Sequence, residues 1–309
     1  MAAPSGEQFA LRRGDLSAVV TEVGATLREL NVGTEAVCRG FAVEEICPGG
    51  MGQVLAPWPN RLEDGTYTFD GRSARAALDE PERHNAIHGL VRWLRFACQE
   101  RSADAATLAC ALPPQPAYPF ALGLEITYQL SDTGLEVRTV ARNEDVGPIP
   151  FGIGFHPYFA AGPDGVDAAA LVLPAARHLR LDDRGLPRRV EPVPARLAGL
   201  VAPDATASAP LGDLVLDDCF TDLERSADGR FAVEFAPIAG GARTLRVLGD
   251  EHFSHVMCFT GDTLAPGERR RAVAIEPMTC APNALRDGAT IAVIEPGQTL
   301  TAVWSVELT

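Results

Sequence analysis

Residues 124–143 alternate apolar and polar side chains along two segments that are joined by a short turn. LEITYQL (124–130) places Leu, Ile, Tyr and Leu against Glu, Thr and Gln, and LEVRTVARN (135–143) resumes the alternation after SDTG (131–134). A period of two residues is typical of a strand with one buried face. The pattern therefore predicts an antiparallel hairpin.

Other parts of the chain carry similar strand signals, whereas helical periodicity is weak. The segment 195–211 is rich in Ala, Pro and Leu and is expected to hold a short helix or an excursion loop. Without a long linker or an internal repeat, many short strands predict a single all-β domain over residues 1–309, built as a sandwich or a barrel-like structure. Single strands are predicted at 243–249, 255–260 and 271–277, and a pair of short strands bent at Gly24 is predicted in 17–30. One further hairpin is predicted around Asp64–Gly65, returning through 66–71. A last hairpin is predicted over 291–308, with its turn at Pro296–Gly297.

The charge of the chain limits its partners. The formal net charge is −14, which argues against nucleic acid and anionic membrane surfaces and is compatible with a neutral small molecule. Every basic residue is Arg, so neither a Schiff-base lysine nor a P-loop lysine is possible.

Several common motifs are missing from the sequence. The seven cysteines include no CxxC pair, which makes a zinc knuckle or a disulfide framework unexpected. The sequence contains no GxSxG, HExxH or complete GxGxxG motif. The N-terminal residues lack the basic start and apolar run of a signal peptide, and no apolar stretch has the length of a membrane helix. We therefore expect a cytoplasmic protein with reduced thiols.

Two histidines stand out because of their surroundings. His156 lies within the apolar, glycine-rich segment GIGFHPYFA (152–160), where it is either a structural core residue or a proton carrier that lines a pocket. His88, in HNAIHGLVRW (84–93), is either a pocket residue or a surface loop residue. Surface positions are expected for His84 and His178.

Other polar residues follow apolar stretches. Glu276 ends the run AVAI, and a carboxylate at the end of a buried strand is unfavourable unless it is paired or used as a base. Asn60 and Arg61 follow APWP, where the guanidinium can bind substrate hydroxyls or hold a loop. Asp217 and Asp218, in LVLDDCF, can accept hydrogen bonds from a ligand or form an ordinary turn.

Six segments in this order resemble the aldose 1-epimerase (mutarotase) family, over most of the chain. The segments are VVTEVGATLREL, LAPWPNRLEDGTYTFDG, NAIHG, GIGFHPYF, LDDCF and AIEPMTCAPNAL. The resemblance implies a large antiparallel β-sandwich of the galactose mutarotase-like, or supersandwich, type with a sugar cleft on one face. It also implies an enzyme that interconverts the α and β anomers of a free hexose.

The resemblance also implies a role for individual residues. Glu276 matches the general base, His156 the general acid, and His88 a second histidine that holds the sugar or polarises its ring oxygen. Arg61 and Asp217 match residues that bind sugar hydroxyls, with Asp217 preferred to Asp218. Further candidates for substrate binding are Asn60 and Trp93. No cofactor or metal is implied, the partner is a small-molecule sugar, and the protein is expected to be a monomer or a homodimer.

Departures from the family pattern leave the sugar open. Phe and Pro flank His156 where galactose-type members have Asn and Thr, and Ile-Glu-Pro-Met surrounds Glu276 where Leu-Glu-Thr-Gln is usual. One alternative is an epimerase of an anionic sugar, a hexose 6-phosphate or a sulfonated sugar, bound by Arg83, Arg92 and Arg95. Two others are a non-catalytic carbohydrate-binding protein and a cupin-like metal enzyme.

Overall fold

The computed structural model describes residues 3–201, 209–237 and 244–308. Within these ranges the chain forms 26 strands, three short 3₁₀ helices and one single-turn α-helix. In chain order the strands are β1 (Gln8–Arg13), β2 (Leu16–Thr21), β3 (Leu27–Val32), β4 (Glu35–Cys38), β5 (Val54–Leu55), β6 (Arg61–Glu63), β7 (Thr66–Phe69), β8 (Arg72–Arg75), β9 (Asn85–Ile87), β10 (Ala97–Arg101), β11 (Ala105–Leu112), β12 (Leu122–Leu130), β13 (Gly134–Asn143), β14 (Ile149–Phe151), β15 (Gly154–Phe155), β16 (Tyr158–Ala160), β17 (Ala169–Val172), β18 (Ala175–Leu181), β19 (Pro187–Pro192), β20 (Asp217–Leu223), β21 (Phe231–Pro237), β22 (Leu245–Gly249), β23 (His255–Phe259), β24 (Ala272–Met278), β25 (Ala292–Ile294) and β26 (Thr299–Leu308). The 3₁₀ helices are Pro81–Arg83, Val166–Ala168 and Ala195–Leu200, and helix α1 is Ala284–Asp287.

Two large antiparallel sheets contain most of these strands. The first sheet has twelve strands in the order β1-β2-β3-β4-β16-β24-β23-β20-β18-β19, with β15 and β5 attached beside β24. The second sheet has eight, in the order β10-β11-β12-β13-β26-β22-β21-β17. The predicted all-β fold with a large antiparallel sandwich is confirmed, as is the β12–β13 hairpin.

The main hydrophobic core lies between the two sheets. Phe155 of the first sheet packs against Trp304 of the second, with ring centroids 5.2 Å apart. The hydroxyl of Tyr128 on β12 donates a 2.6 Å hydrogen bond to the backbone carbonyl of Ala25 across the same interface. Both rings and the tyrosine are fully buried, so each contributes on the order of 2 kcal/mol of apolar burial to this contact.

Alternation along β24 places Glu276 on the outer face of the first sheet. Val273 and Ile275 belong to the main core, whereas Ala274 packs in a small separate cluster on the opposite side of the strand. Glu276 has the same parity as Ala274 and therefore points away from the sandwich core. The strand continues to Met278, one residue beyond the predicted segment 271–277.

The partner of β24 is interrupted next to Glu276. β15 pairs with β24 at Gly154–Met278, and β16 resumes the pairing at Tyr158–Ala274. Pro157 lies in the gap on one side and Pro277 on the other, and neither residue has a backbone N–H to donate to a ladder. The interruption therefore leaves His156 outside a regular strand and beside Glu276.

Two predicted hairpins are wrong because the strands involved pair with other partners. The turn at Asp64–Gly65 does not join a hairpin, since β6 pairs with β9 and β7 pairs with β8. The turn at Pro296–Gly297 separates β25, which pairs with β14, from β26. Both edges of β26 are occupied by β13 and β22, which leaves no edge for β25.

The remaining strand predictions hold, with small changes at their ends. β2 and β3 form the antiparallel pair expected in 17–30, and β22, β23 and β24 occupy the other predicted segments, with residue 243 outside the described residues. The segment 195–211 begins with the 3₁₀ helix Ala195–Leu200, and its residues 202–208 also lie outside the described ranges. Among the described residues, no helix has the length and apolarity needed to cross a bilayer.

Candidate active site

A cleft of about 650 Å³ opens on the outer face of the first sheet, above β16, β20 and β24. The loops that contain Gly49, Asn60 and His88 form its other walls. The structure brings together in this cleft every site residue that the sequence predicts, namely Asn60, Arg61, His88, Trp93, His156, Asp217 and Glu276.

His156 and Glu276 meet at the bottom of the cleft. The distance from His156 Nε2 to Glu276 Oε1 is 3.4 Å. The two residues are only 5% and 2% exposed, and among the described residues His156 Nδ1 and Glu276 Oε2 have no hydrogen-bond partner. Buried polar groups are normally satisfied, so leaving these two atoms unpaired is unfavourable for the stability of the fold.

Aromatic and backbone contacts fix the plane of the His156 ring. Tyr158 stacks on it with a centroid distance of 4.9 Å and an interplanar angle of 2°, and its hydroxyl donates to the Gly49 carbonyl at 3.0 Å. A Cβ at Gly50 would lie 3.2 Å from His156 Cδ2, and its φ of +75° also favours glycine. Tyr158 was not predicted from the sequence, although its spacing of two residues from His156 is the signal that could have identified it.

Burial shifts both pKa values in the direction that disfavours charge. Burial, with a contribution from the Arg92 guanidinium, lowers the pKa of His156 to about 3. Burial raises the pKa of Glu276 well above its ordinary value; Asp217 adds to the rise and Arg61 opposes it. Without a bound sugar, a single proton shared by the two residues therefore lies on the Glu276 carboxyl group and not on the His156 imidazole.

His88 stands against His156 and presents a defined tautomer. Its ring centroid is 5.3 Å from that of His156, and its Nδ1 accepts a 3.3 Å hydrogen bond from the backbone N–H of Asn60. Burial lowers the pKa of His88 well below its ordinary value, so the ring is neutral. Because Nδ1 is an acceptor, Nε2 carries the hydrogen and can donate to a ligand oxygen.

Hydrogen bonds and packing contacts that were not predicted from the sequence fix the side chain of Arg61. Its Nε and Nη2 donate to the carboxylate of Glu80 at 2.9 and 3.0 Å, and Asn85 donates to the same carboxylate at 3.0 Å. A Cβ at Gly185 would lie 2.6 Å from Arg61 Nη1, so this loop residue packs directly on the guanidinium. Arg61 is only 8% exposed, and Glu80 offsets its charge.

The two adjacent aspartates have different positions. Asp217 lines the cleft, with its Oδ2 3.8 Å from Arg83 and 4.0 Å from Arg61. Asp218 has the opposite parity along β20 and is buried against His178, whose Nε2 lies 2.7 Å from Asp218 Oδ1. The preference for Asp217 as the cleft residue therefore agrees with its position.

The two histidines that were expected on the surface, His84 and His178, differ in burial. His84 is exposed and its Nδ1 lies 2.9 Å from Asp64, which confirms the expectation. His178 is only 5% exposed, so the expectation for this residue is wrong. It lies inside β18 and packs on Phe220, with ring centroids 5.7 Å apart.

An aromatic and cationic edge borders the mouth of the cleft. Trp93 is 53% exposed, and the Arg92 guanidinium lies 5.8 Å from its ring centroid. Arg83 and Arg92 both line the cleft, whereas Arg95 is not among its lining residues and pairs with Glu22 at 2.7 Å. Two of the three arginines proposed to bind an anionic substrate, Arg83 and Arg92, therefore line the cleft.

A cupin-type set of metal ligands is not assembled at this cleft. In the described part of the chain, one group of three potential ligands lies within metal-binding distance, formed by Asp250, Glu251 and His252. None of these three residues lines the cleft, and the group is at least partly exposed.

Replacing Glu276 with Gln is expected to stabilise the fold at alkaline pH. The raised folded-state pKa means that the native protein binds the Glu276 proton more tightly than the unfolded chain does. Ionisation of Glu276 therefore destabilises the folded protein. This destabilisation is absent below the ordinary pKa of 4.5 and grows as the pH rises through the folded-state pKa of Glu276. Well above it, Glu276→Gln should gain at least about 1 kcal/mol in urea unfolding.

The matched control is Glu82→Gln, which changes an exposed carboxylate at the same cleft. We expect its effect to stay within about 0.5 kcal/mol at every pH. Equal unfolding free energies for Glu276→Gln and the unchanged protein across the pH range would contradict a desolvated carboxylate.

Comparisons with known proteins identify the family of the chain. The family model for aldose 1-epimerase matches residues 7–307. The chain is 29% identical over 295 residues to the uncharacterized protein YihR of Escherichia coli (strain K12), covering 95% of this chain and 91% of that protein.

Solved structures share the fold at low sequence identity. A galactose mutarotase-like protein from Clostridium acetobutylicum superposes with a TM-score of 0.83 at 14% identity, covering 97% of this chain and 94% of that one. The GalM/aldose epimerase homologue from C. elegans has a TM-score of 0.82 at 17% identity, with 98% of each chain covered. The match of the family model over nearly the whole length is decisive: the chain belongs to the aldose 1-epimerase family.

Proposed function

We propose that this protein catalyses mutarotation of a free hexose, interconverting its α and β anomers by acid–base opening and closure of the ring. The observation that supports this most directly is the buried pair His156–Glu276, 3.4 Å apart at the bottom of a sugar-sized cleft. The two oxygens that change protonation, the C1 hydroxyl and the ring oxygen O5, are bonded to the same carbon. An acid and a base that serve both must therefore be close neighbours.

The reaction needs one proton acceptor and one proton donor in each direction. In ring opening, Glu276 takes the proton of the C1 hydroxyl while His156 gives a proton to O5, and the C1–O5 bond breaks to leave a free aldehyde. Rotation about the C1–C2 bond presents the other face of the aldehyde. Closure reverses both proton transfers, so the pair returns to its starting state and no atom or electron is lost or gained.

This assignment requires the shared proton to lie on His156 when the sugar is bound. In the empty cleft the lowered pKa of His156 and the raised pKa of Glu276 place it on the carboxyl group. A bound hemiacetal offers its C1 hydroxyl as a donor to the carboxylate and O5 as an acceptor for the imidazolium. We infer that binding moves the proton across the 3.4 Å contact into the reactive arrangement.

Neighbouring residues hold the sugar in this arrangement. His88 can donate through Nε2 to a sugar oxygen because its Nδ1 is occupied by the Asn60 backbone. Asp217 can accept from a hydroxyl, and Trp93 offers an exposed ring at the mouth of the cleft. Since Glu80 occupies two nitrogens of Arg61, only part of its donor fork is available to the substrate.

Optical rotation tests the proposal directly. Freshly dissolved α-D-glucose and α-D-galactose should reach their unchanged equilibrium rotation faster with the protein than without it. We expect Glu276→Gln and His156→Ala each to lower the protein-dependent rate at least about 100-fold, because each removes one partner of the proton transfer.

The Glu82→Gln protein is the matched control and should retain its rate, since Glu82 is an exposed residue outside the proton-transfer pair. Full activity of His156→Ala, in protein shown to be folded, would contradict the assignment of the donor. Sugar binding without any acceleration would favour the non-catalytic carbohydrate-binding alternative. The burial of this acid–base pair, with one polar atom of each residue unsatisfied among the described residues, argues against that alternative, because a binding protein gains nothing from the desolvation penalty.

A second candidate is mutarotation of an anionic sugar, and one observation favours it. Arg92 lines the cleft, and its Nε is buried without a hydrogen-bond partner among the described residues. Its Nη2 donates to the exposed Asp79 at 2.8 Å and to the Ile87 carbonyl at 3.2 Å, and its Nη1 donates to Gln53 Oε1 at 3.5 Å. A phosphate or sulfonate on the sugar could pair with the positive charge of Arg92, with that of Arg83 nearby.

Competition by inorganic anions distinguishes the two candidates. If the substrate is neutral, added phosphate or sulfate at fixed ionic strength should leave the rate with glucose unchanged. If it is anionic, glucose 6-phosphate should react faster than glucose, and phosphate should compete with it. The variant Arg92→Gln should then reduce the preference at least about tenfold, whereas Arg95→Gln, outside the cleft, should preserve it.

A further inference from the structure

Tyr158 lines the cleft beside His156 and takes part in none of the proton transfers proposed above. Its ring is parallel to the imidazole, with a centroid distance of 4.9 Å and an interplanar angle of 2°, which is an offset-stacked arrangement. The face of an aromatic ring carries negative charge density, and a cation within about 6 Å of the ring centroid is attracted to it. The contact can therefore stabilise a positive charge on His156 as well as fix the plane of its ring.

The Tyr158 ring is itself held in place. It lies on β16 and is only 2% exposed. Phe259 meets it edge-on, with a centroid distance of 6.4 Å and an interplanar angle of 86°. The hydroxyl is tied to the Gly49 carbonyl. These contacts keep the ring against His156, so its π face is already in place before the imidazole becomes charged.

Tyr158 is not itself suited to carry a proton. Burial raises the pKa of Tyr158 well above its ordinary value, and the Glu276 carboxylate adds to the rise. The phenol therefore stays neutral and keeps its hydrogen on the Gly49 carbonyl. Any effect of Tyr158 on the reaction must be exerted through His156.

The other groups that face His156 give little lasting support to its positive charge. The Arg92 guanidinium opposes this charge, and the ring of His88 is neutral. Glu276, 3.4 Å away, favours an imidazolium only while it is ionised, and it loses its negative charge as it takes the proton of the C1 hydroxyl. The π face of Tyr158 keeps its negative charge density throughout the reaction.

We propose that Tyr158 is a positioning residue that also stabilises the imidazolium form of His156 through a cation–π contact, an inference that rests on the proposed mutarotase function. In the resting pair the proton lies on the carboxyl group and the imidazole is neutral. In the transition state of ring opening or closure, His156 carries part of a positive charge. The contact lowers the energy of this state relative to the resting pair and so raises the rate.

Fluorination of the ring separates its charge density from its shape. Tyr158→Phe removes the hydroxyl and keeps the π face. Analogues of this variant with one, two or three ring fluorines lose negative charge density step by step at almost constant size. We expect the logarithm of the mutarotation rate with glucose to fall in proportion to the number of fluorines, by about tenfold over the series. Tyr158→Leu, which removes the ring, should lose at least as much.

The ring ¹⁵N shifts of His156 give a second measurement, which does not depend on turnover. In the sugar-free protein, the pKa of His156 should fall by about one pH unit from Tyr158→Phe to its trifluorinated analogue, because the imidazolium loses its cation–π partner. A purely steric role of the ring would leave this pKa constant along the series.

The matched control is Tyr118, a fully buried tyrosine whose hydroxyl also donates to a backbone carbonyl, that of Pro150, at 2.7 Å. Its ring lies edge-on to Phe120 and does not line the cleft. The same fluorinated series at Tyr118 should change neither the mutarotation rate nor the pKa of His156.

The outcomes separate the inference from the function on which it rests. If the rate and the pKa of His156 are both independent of fluorination at residue 158, the inference is overturned even if glucose is mutarotated. In an active protein, a change in one of the two measurements without the other would also contradict it. A pKa that falls along the series, in a protein that accelerates no mutarotation, would support the cation–π contact while contradicting the proposed function.

Discussion

The site depends on a desolvated acid–base pair in which burial disfavours the charged form of each member. His156 and Glu276 lie 3.4 Å apart, almost completely buried, with one polar atom of each left without a partner in the described chain. Burial lowers one pKa and raises the other, so the neutral forms are favoured in the empty cleft. That is unfavourable for stability, but under the proposed mechanism it keeps a single proton available for transfer between two oxygens of the same hemiacetal.

The fold supplies this environment through the geometry of one sheet. Strand alternation on β24 turns Glu276 away from the sandwich core, and the break between β15 and β16 brings His156 beside it. Tyr158 then fixes the imidazole plane by stacking. None of the described residues of the second sheet lines the cleft; this sheet buries the opposite face of the first sheet.

Local patterns predicted much of the fold, and ordered motifs predicted the cleft residues, because both signals are contained in short segments. The hairpin over 124–143 is one example. The false hairpin at Pro296–Gly297 shows the limit, since a turn motif does not reveal which strand edges are already occupied. Tyr158 could have been found from its spacing. Glu80 and Gly185 could not, because their contacts with the Arg61 side chain are set by loop packing rather than by any local pattern.

The most direct test of the account is an NMR titration of His156 in the empty protein, with ring ¹⁵N labelling and assignment by comparison with the His156→Ala spectrum. We predict a neutral ring that shows no titration near the ordinary pKa of 6.5 and takes up its proton only as the pH approaches a pKa of about 3. Saturating sugar should then shift the ring toward the imidazolium form. A ring that titrates near 6.5 in the empty cleft and is unaffected by sugar would contradict the shared-proton mechanism.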